Sequence, residues 1–299
     1  MDQSADPQAS TNPLPEPTLQ VMPAARPRPG LHLALLLASF YTMVLAGQNA
    51  ATGRLTALPE PSGLSYALCL IAILGAHEMG HYLYCRYYGI DASLPYFLPG
   101  LPFIGTFGAF IRIRAPFPNR RALFDVGVAG PIAGFVVLVP VLIYGFLHPT
   151  LVPITSDGGT VGEPLLFTLL GWWLSPEIPK GYAPLWSGAI MAGWVGCLAT
   201  AMNLFPIGQL DGGHIWYSIS ESFHRKASLA GIAGFIALGL LVSPNWLFLA
   251  TLLLFFGPRH PPVLEESAPL TRGRRLVAVI SVLILILCFI PNPLPINSE

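Results

Sequence analysis

Apolar residues gather in seven runs, at 31–50, 63–88, 122–147, 184–205, 227–242, 245–257 and 275–291, each bounded by proline, glycine or charge. A hydrocarbon core of roughly 30 Å needs about 20 apolar residues in a helix, and the pattern predicts an α-helical polytopic membrane protein of about seven spans. The run at 31–50 exceeds the apolar segment of a secretory signal and reads as a retained span. The runs 227–242 and 245–257 are each short and divided only by Ser243-Pro244-Asn245, so they read as a hairpin or as one kinked helix. Residues 1–30 carry seven prolines and no apolar periodicity, which predicts a flexible tail ahead of a single membrane-embedded domain over 31–299.

One apolar segment does not read as a span. Residues 94–118 are broken by Pro95, Pro99, Gly100, Pro102, Gly105 and Gly108. From Thr106 to Arg114 the chain alternates, with Phe107, Ala109, Ile111 and Ile113 on one face and Gly108, Phe110, Arg112 and Arg114 on the other. Period two predicts a strand, half of a short β-hairpin dipping into the membrane where protein or water satisfies its backbone.

Composition agrees with a membrane protein: 53% of residues are hydrophobic and 10% charged. Lys+Arg and Asp+Glu number 15 each, so no basic surplus exists to hold a nucleic-acid backbone. The cations are unevenly placed. With the N-terminus inside, thirteen face the inner side (Arg26, Arg28, Arg86, Arg112, Arg114, Arg120, Arg121, Arg225, Lys226, Arg259, Arg272, Arg274 and Arg275), and only Arg54 and Lys180 face out. Positive charge stays inside, which places the N-terminus and the loops nearest the candidate site on the cytoplasmic side and the stretch near Asp157 opposite. Cys69, Cys85, Cys197 and Cys288 fall in apolar runs and read as small buried hydrophobes.

The candidate chemistry lies inside the second span, at His77-Glu78-Met79-Gly80-His81. It begins about 21 Å down a helix that starts at Gly63. Histidines at i and i+4 share one face and present imidazole nitrogen to a single Zn²⁺, with Glu78 beside them as base for a water. This composition yields two His and one Glu at those offsets by chance in roughly one sequence in two hundred. Ionisable groups at membrane depth are functional by default. The alternatives are an interhelical hydrogen-bond cluster or a proton relay.

Two histidines do not close a catalytic zinc site. Cys85 follows His81 by four residues but lies roughly 6 Å further along the axis, which leaves it to core packing. The better third ligand is Asp211, in the run from Asn203 to His214, where Pro206 and the glycines interrupt the helix and free the backbone. Asp211 could instead cap the next helix. His214 could replace Asp211, support it, or stand solvated. Asn203 could hydrogen-bond between helices or stabilise an oxyanion. Asp125, at the start of the third span, is explained by the helix N-terminus alone. Gly127, Ala129, Gly130, Ala133 and Gly134, like Gly193 and Gly196 later, form small-residue faces for close helix packing.

Taken together, these residues resemble the site-2 protease-like intramembrane metalloproteases. The likeness rests on His77 to His81 within a span and on Asn203 to Gly212, which looks like that family's Asn-Pro-Asp-Gly element. Gly105 to Phe110 and Asp125 to Pro131 look like further family segments, and the resemblance covers about 63–262. It implies a three-span catalytic core formed by 63–88, 122–147 and 184–205, within about 63–226, and cleavage of a substrate's transmembrane helix. The non-membrane stretches are too short for the PDZ or CBS domains that many members carry.

The expected function is an intramembrane zinc endopeptidase with one Zn²⁺ per chain, held by His77, His81 and Asp211, with Glu78 as catalytic base. Its partners would be the bilayer and a transmembrane protein substrate, held extended by β-augmentation along Phe107, Gly108, Ala109, Phe110 and Ile111. The alternative is a catalytically silent metal-binding protein or an ion or proton transporter built on the same polar cluster. A transporter would show paired broken helices, and only the interruption at 203–213 is clear. No Gly-x-Ser-x-Gly supports serine chemistry.

Overall fold

The computed structural model describes residues 28–52, 61–100, 103–153, 162–242, 244–257, 260–265 and 269–291. The tail over 1–27, together with Arg54, Asp157, Ser243 and Arg259, lies outside the described residues.

Three long helices carry the fold: α1 (Pro29–Thr52), α2 (Pro61–Tyr87) and, after a hairpin, α3 (Arg120–Leu147). All three are long and apolar enough to cross a membrane. The four later runs are also helical, as α5 (Gly188–Leu204), α7 (Glu221–Leu241), α8 (Asn245–Phe256) and α9 (Arg272–Cys288). They do not match the first three, since α5 and α9 have 17 residues and α8 has 12, about 25 Å or less of helix. Helix α7 has 21 residues, but its first turns hold Glu221, Arg225 and Lys226. Helices α7 and α8 are separate elements that pack on one another. The run predicted to begin at Pro184 starts late as a helix, because Pro184 and Leu185 belong to a strand.

That strand, β4 (Tyr182–Leu185), pairs antiparallel with β3 (Thr150–Pro153). Between them lies α4 (Leu165–Leu174), so the stretch expected on the outer side carries a strand pair and a helix of its own. A short helix α6 (Asp211–Ile219) follows α5.

The predicted hairpin is present, as β1 (Tyr96–Pro99) against β2 (Thr106–Phe110). It is shorter than the alternation implied, ending at Phe110 rather than Arg114. Its faces also differ from the expectation: Phe107 is exposed, while Ala109 packs on the core. A register shift between Leu98 and Pro99 and a φ of +102° at Gly108 break the period of two there. The hairpin is tied to α1 and α2. Thr42 Oγ1 donates to the Gly105 carbonyl at 2.6 Å, and Tyr66 OH donates to that of Ile104 at 2.6 Å. Gly105 lies so close to α1 that a Cβ there would stand 2.4 Å from Met43 Cα, which excludes any larger residue.

The core joins α1, α2, α3 and α5 through side chains such as Met43, Tyr66, Leu70, Ile73, Leu138 and Leu142, all nearly or wholly excluded from solvent. Helices α2 and α3 touch along the predicted glycine face: a Cβ on Gly80 would meet the Ala129 carbonyl at 2.4 Å. This intimacy sets the site.

Candidate active site

Helix α2 presents His77 and His81 on one face, as the spacing required. Both are buried, as is Glu78. The His81 ring is fixed from behind by α3, where its Nδ1–H donates to the Val126 carbonyl at 2.8 Å. A carbonyl only accepts, so Nε2 is left with a free lone pair directed into the site. Gly130 makes room for that ring, since a Cβ there would stand 2.1 Å from His81 Nε2, and Gly134 leaves 3.1 Å to His77 Cβ. The glycine face assigned to packing alone therefore shapes the site as well.

Asp211 comes from the interrupted segment. Helix α5 ends at Leu204, the chain turns through Pro206 and Gly208 (φ +53°), and α6 starts at Asp211. The turn needs its glycines: a Cβ on Gly212 would lie 2.0 Å from the Leu204 carbonyl, and one on Gly213 2.3 Å from that of Gly208. Helix α7 clamps it, with Ser228 Oγ accepting from the Gly208 N–H at 3.1 Å and His224 Nε2 donating to the Gly208 carbonyl at 2.9 Å. The helix cap is Leu210, and no side chain caps α6. Asp211 is thus free of capping and turns to the histidines, Oδ2 3.1 Å from His77 Nε2 and Oδ1 3.2 Å from His81 Nε2.

The two imidazole Nε2 atoms stand 3.2 Å apart. Ligand atoms bound tetrahedrally at about 2.0–2.1 Å are separated by about 3.3–3.4 Å; the two nitrogens stand close to that separation, each has one oxygen of the Asp211 carboxylate at a similar distance, and the three groups lie near enough together to hold a zinc ion. Two nitrogens and one carboxylate are also a donor set that zinc takes. Asn203, on the last turn of α5, reaches the same point with Nδ2 3.3 Å from His77 Nε2. Glu78 faces both histidines and Asp211, and the backbone of Ile111, just past β2, comes close to its carboxylate. The hairpin exit therefore touches the candidate base, which links the predicted substrate strand to the predicted centre.

Other residues fall elsewhere. His214 is not in the triangle, and its Nδ1 hydrogen-bonds His260 Nε2 at 2.6 Å. Burial pushes His214 down to about 3 and His260 down to about 4, so both are neutral near pH 7. His260, which also stacks on Tyr217, had no local signal in the sequence. Cys85 is buried with Ile90, Ala122 and Val126, in its packing role. Asp125 departs from its expected explanation: α3 begins five residues earlier, capped by Asn119, so Asp125 lies beyond the first turn. It is held instead by Arg274 of α9, through Nε at 2.8 Å and Nη2 at 2.6 Å, and by the Tyr88 hydroxyl.

The model of peptidase family M50 matches residues 65–169 and 181–243, a range that holds all three corners of the triangle. The chain belongs to peptidase family M50. Among M50 relatives, "Probable zinc metalloprotease EGY2, chloroplastic" of Oryza sativa subsp. indica is 34% identical over 254 residues, 79% of this chain and 44% of its own length. "Probable zinc metalloprotease EGY1, chloroplastic" of Arabidopsis thaliana is 29% identical over 240 residues, 77% of this chain and 43% of its own. The chain thus spans less than half the length of these curated relatives. No solved structure matches it. The resemblance read from the two motifs is borne out at family level, and zinc is the metal that the M50 relatives' names and this donor set share.

Proposed function

We propose that the protein is an intramembrane zinc endopeptidase that cuts a peptide bond within or beside a transmembrane helix of a protein substrate. The observation that carries this reading is the buried triangle of His77, His81 and Asp211 on α2 and α6, with Glu78 beside it, in a helix apolar enough to cross a membrane. His77, His81 and Asp211 would hold the ion, which when bound polarises a carbonyl and lowers the pKa of a water. Glu78 takes the proton of the attacking water on its carboxylate and returns it to the amine nitrogen as the C–N bond breaks. Asn203 Nδ2 donates to the oxygen that gains charge on the scissile carbonyl.

A helix hides its amides in internal hydrogen bonds, so the substrate must unwind to be cut. Strand β2 pairs with β1 on one edge, and no strand pairs its other edge among the described residues. The outward-facing backbone groups of the segment from Phe107 to Ile111 can hold an extended substrate there, next to Glu78. The seven-span count, a catalytic core within 63–226 of one domain and a cytoplasmic site follow the apolar runs and the thirteen-to-two distribution of cations.

The test is cleavage of a transmembrane substrate by zinc-loaded protein in liposomes, with the new termini located by mass spectrometry. A cut within or next to the span, abolished by chelator, is expected. Cuts confined to extramembrane segments would overturn the intramembrane reading, and zinc binding without any cleavage would favour the silent metal protein.

A further inference from the structure

A cavity of about 400 Å³ opens where α2, α3 and α9 meet. Gly80, Leu83 and Tyr84 of α2, Val128 and Ile132 of α3, and Val277 of α9 form its apolar walls, and the Asp125–Arg274 pair closes one end. From Asp125 to Ala133 the groove follows eight residues of α3, about 12 Å, most of the roughly 15 Å that one leaflet contributes to the hydrocarbon core. That length matches the part of an alkyl chain that lies within one leaflet, and the lining along it is apolar.

Two features name the occupant. The walls belong to α2 and α3, helices apolar enough to cross a membrane, and Leu83 and Tyr84 at the rim are exposed, so the medium that reaches the groove there is lipid. The closed end is basic. Arg274 is flanked on the first turn of α9 by exposed Arg272 and Arg275, and Arg86, two residues past Tyr84, is exposed as well. Against these four arginines the lining offers one carboxylate, Asp125.

We propose that this groove binds one acyl chain of an anionic phospholipid, with the headgroup on the α9 arginines. Juxtamembrane arginines attract anionic headgroups, and the alkyl chain fills the apolar groove between the helices. The site bears on the catalytic helices. Gly80 is both a wall of the groove and the point where α2 meets the Ala129 carbonyl, so an occupied groove braces the contact that sets His77 and His81.

The test uses the full zinc-loaded chain, delipidated in detergent and offered an equimolar mixture of dioleoylphosphatidylglycerol and dioleoylphosphatidylcholine. Retained lipid and zinc are counted by mass spectrometry, without reading proteolysis, so the result stands apart from the enzymatic reading. The phosphatidylglycerol should be retained in preference. Arg272→Gln with Arg275→Gln should lower that preference by about fivefold per arginine, and Val277→Trp, which fills the groove, should abolish retention while zinc stays bound. If Val277→Trp loses its zinc, Ile132→Phe fills the same space from α3 and is read in its place. Competition by oleate fits an anion on an alkyl chain. Equal retention of the two lipids, retention undiminished with the groove filled, or displacement by inorganic phosphate alone would each overturn the proposal.

Discussion

Replacing Gly130 by alanine adds one methyl group to the most crowded point of the site. The new Cβ would stand 2.1 Å from His81 Nε2 and 2.5 Å from both adjoining ring carbons, and ordinary contact begins at 3.4 Å, so ring or helix must move by about 1.3 Å. A shift of that size stretches the 2.8 Å bond to the Val126 carbonyl beyond hydrogen-bond range. It also exceeds several-fold the roughly 0.2 Å within which metal–ligand distances are held. Zinc affinity should therefore fall by at least about 100-fold, the upper end for losing a group that orients a ligand, or about 2.8 kcal/mol. Gly134→Ala, with 3.1 Å to His77 Cβ, should lose less, within about tenfold. Gly234→Ala on α7, where a Cβ would meet nothing within 4 Å, should bind zinc as the unsubstituted chain does and gain about 0.5–1 kcal/mol of helix stability. The assay is chelator competition for zinc, with helicity followed by circular dichroism. Full zinc affinity in Gly130→Ala with the helices intact would refute the arrangement of α3 behind His81.

Asp211→Ala should weaken zinc as well, because two imidazoles leave the coordination incomplete; unchanged stoichiometry and affinity would move the third ligand elsewhere. Ala109→Pro removes a backbone donor two residues from Ile111 and should stop cleavage with zinc retained, whereas Ala109→Val, which keeps the N–H, should be mild; equal activity in both would reduce β2 to a loop. Folding stability should fall with acid through His260. Burial holds its folded pKa down to about 4 against about 6.5 unfolded, so the unfolded chain takes up a proton that the folded chain refuses. The stabilisation is present above about pH 6.5 and declines towards pH 4. Thermal unfolding at saturating zinc should show that decline, and His260→Gln should lessen it, with His214, which burial also holds down, keeping its own share; an identical decline in the variant would contradict this origin.

Local signals made much of the site legible. The offsets of His77, Glu78 and His81 lie within a little over one helical turn, and Pro206 with the glycines around Asp211 marks an interruption that frees a carboxylate to turn inward. Alternation from Thr106 announced the hairpin, although Gly108 and the register shift spoiled its faces. What escaped the sequence depends on distant partners. Asp125 meets Arg274 from 149 positions away, and His260 reaches His214 across 46; neither pairing leaves a periodic trace. Gly130 was recognised as small, but only the approach of α3 shows that its missing side chain is the space of the His81 ring. Pro184 and Leu185 are apolar enough to extend a span, and only their pairing with Thr150 and Leu151 makes them strand.

Metal binding and proton transfer are proposed to fall on different residues, and Glu78→Gln tests this most directly, with bound zinc and proteolysis measured on the same purified sample. The amide keeps the shape of the carboxylate but cannot take the water's proton, while the three side chains proposed to hold zinc are untouched. The expected result is one zinc per chain and no cleavage of a transmembrane substrate that the unsubstituted protein cuts. Substantial cleavage by the variant would contradict Glu78 as the base, and loss of its zinc would contradict its separation from the metal-holding triangle.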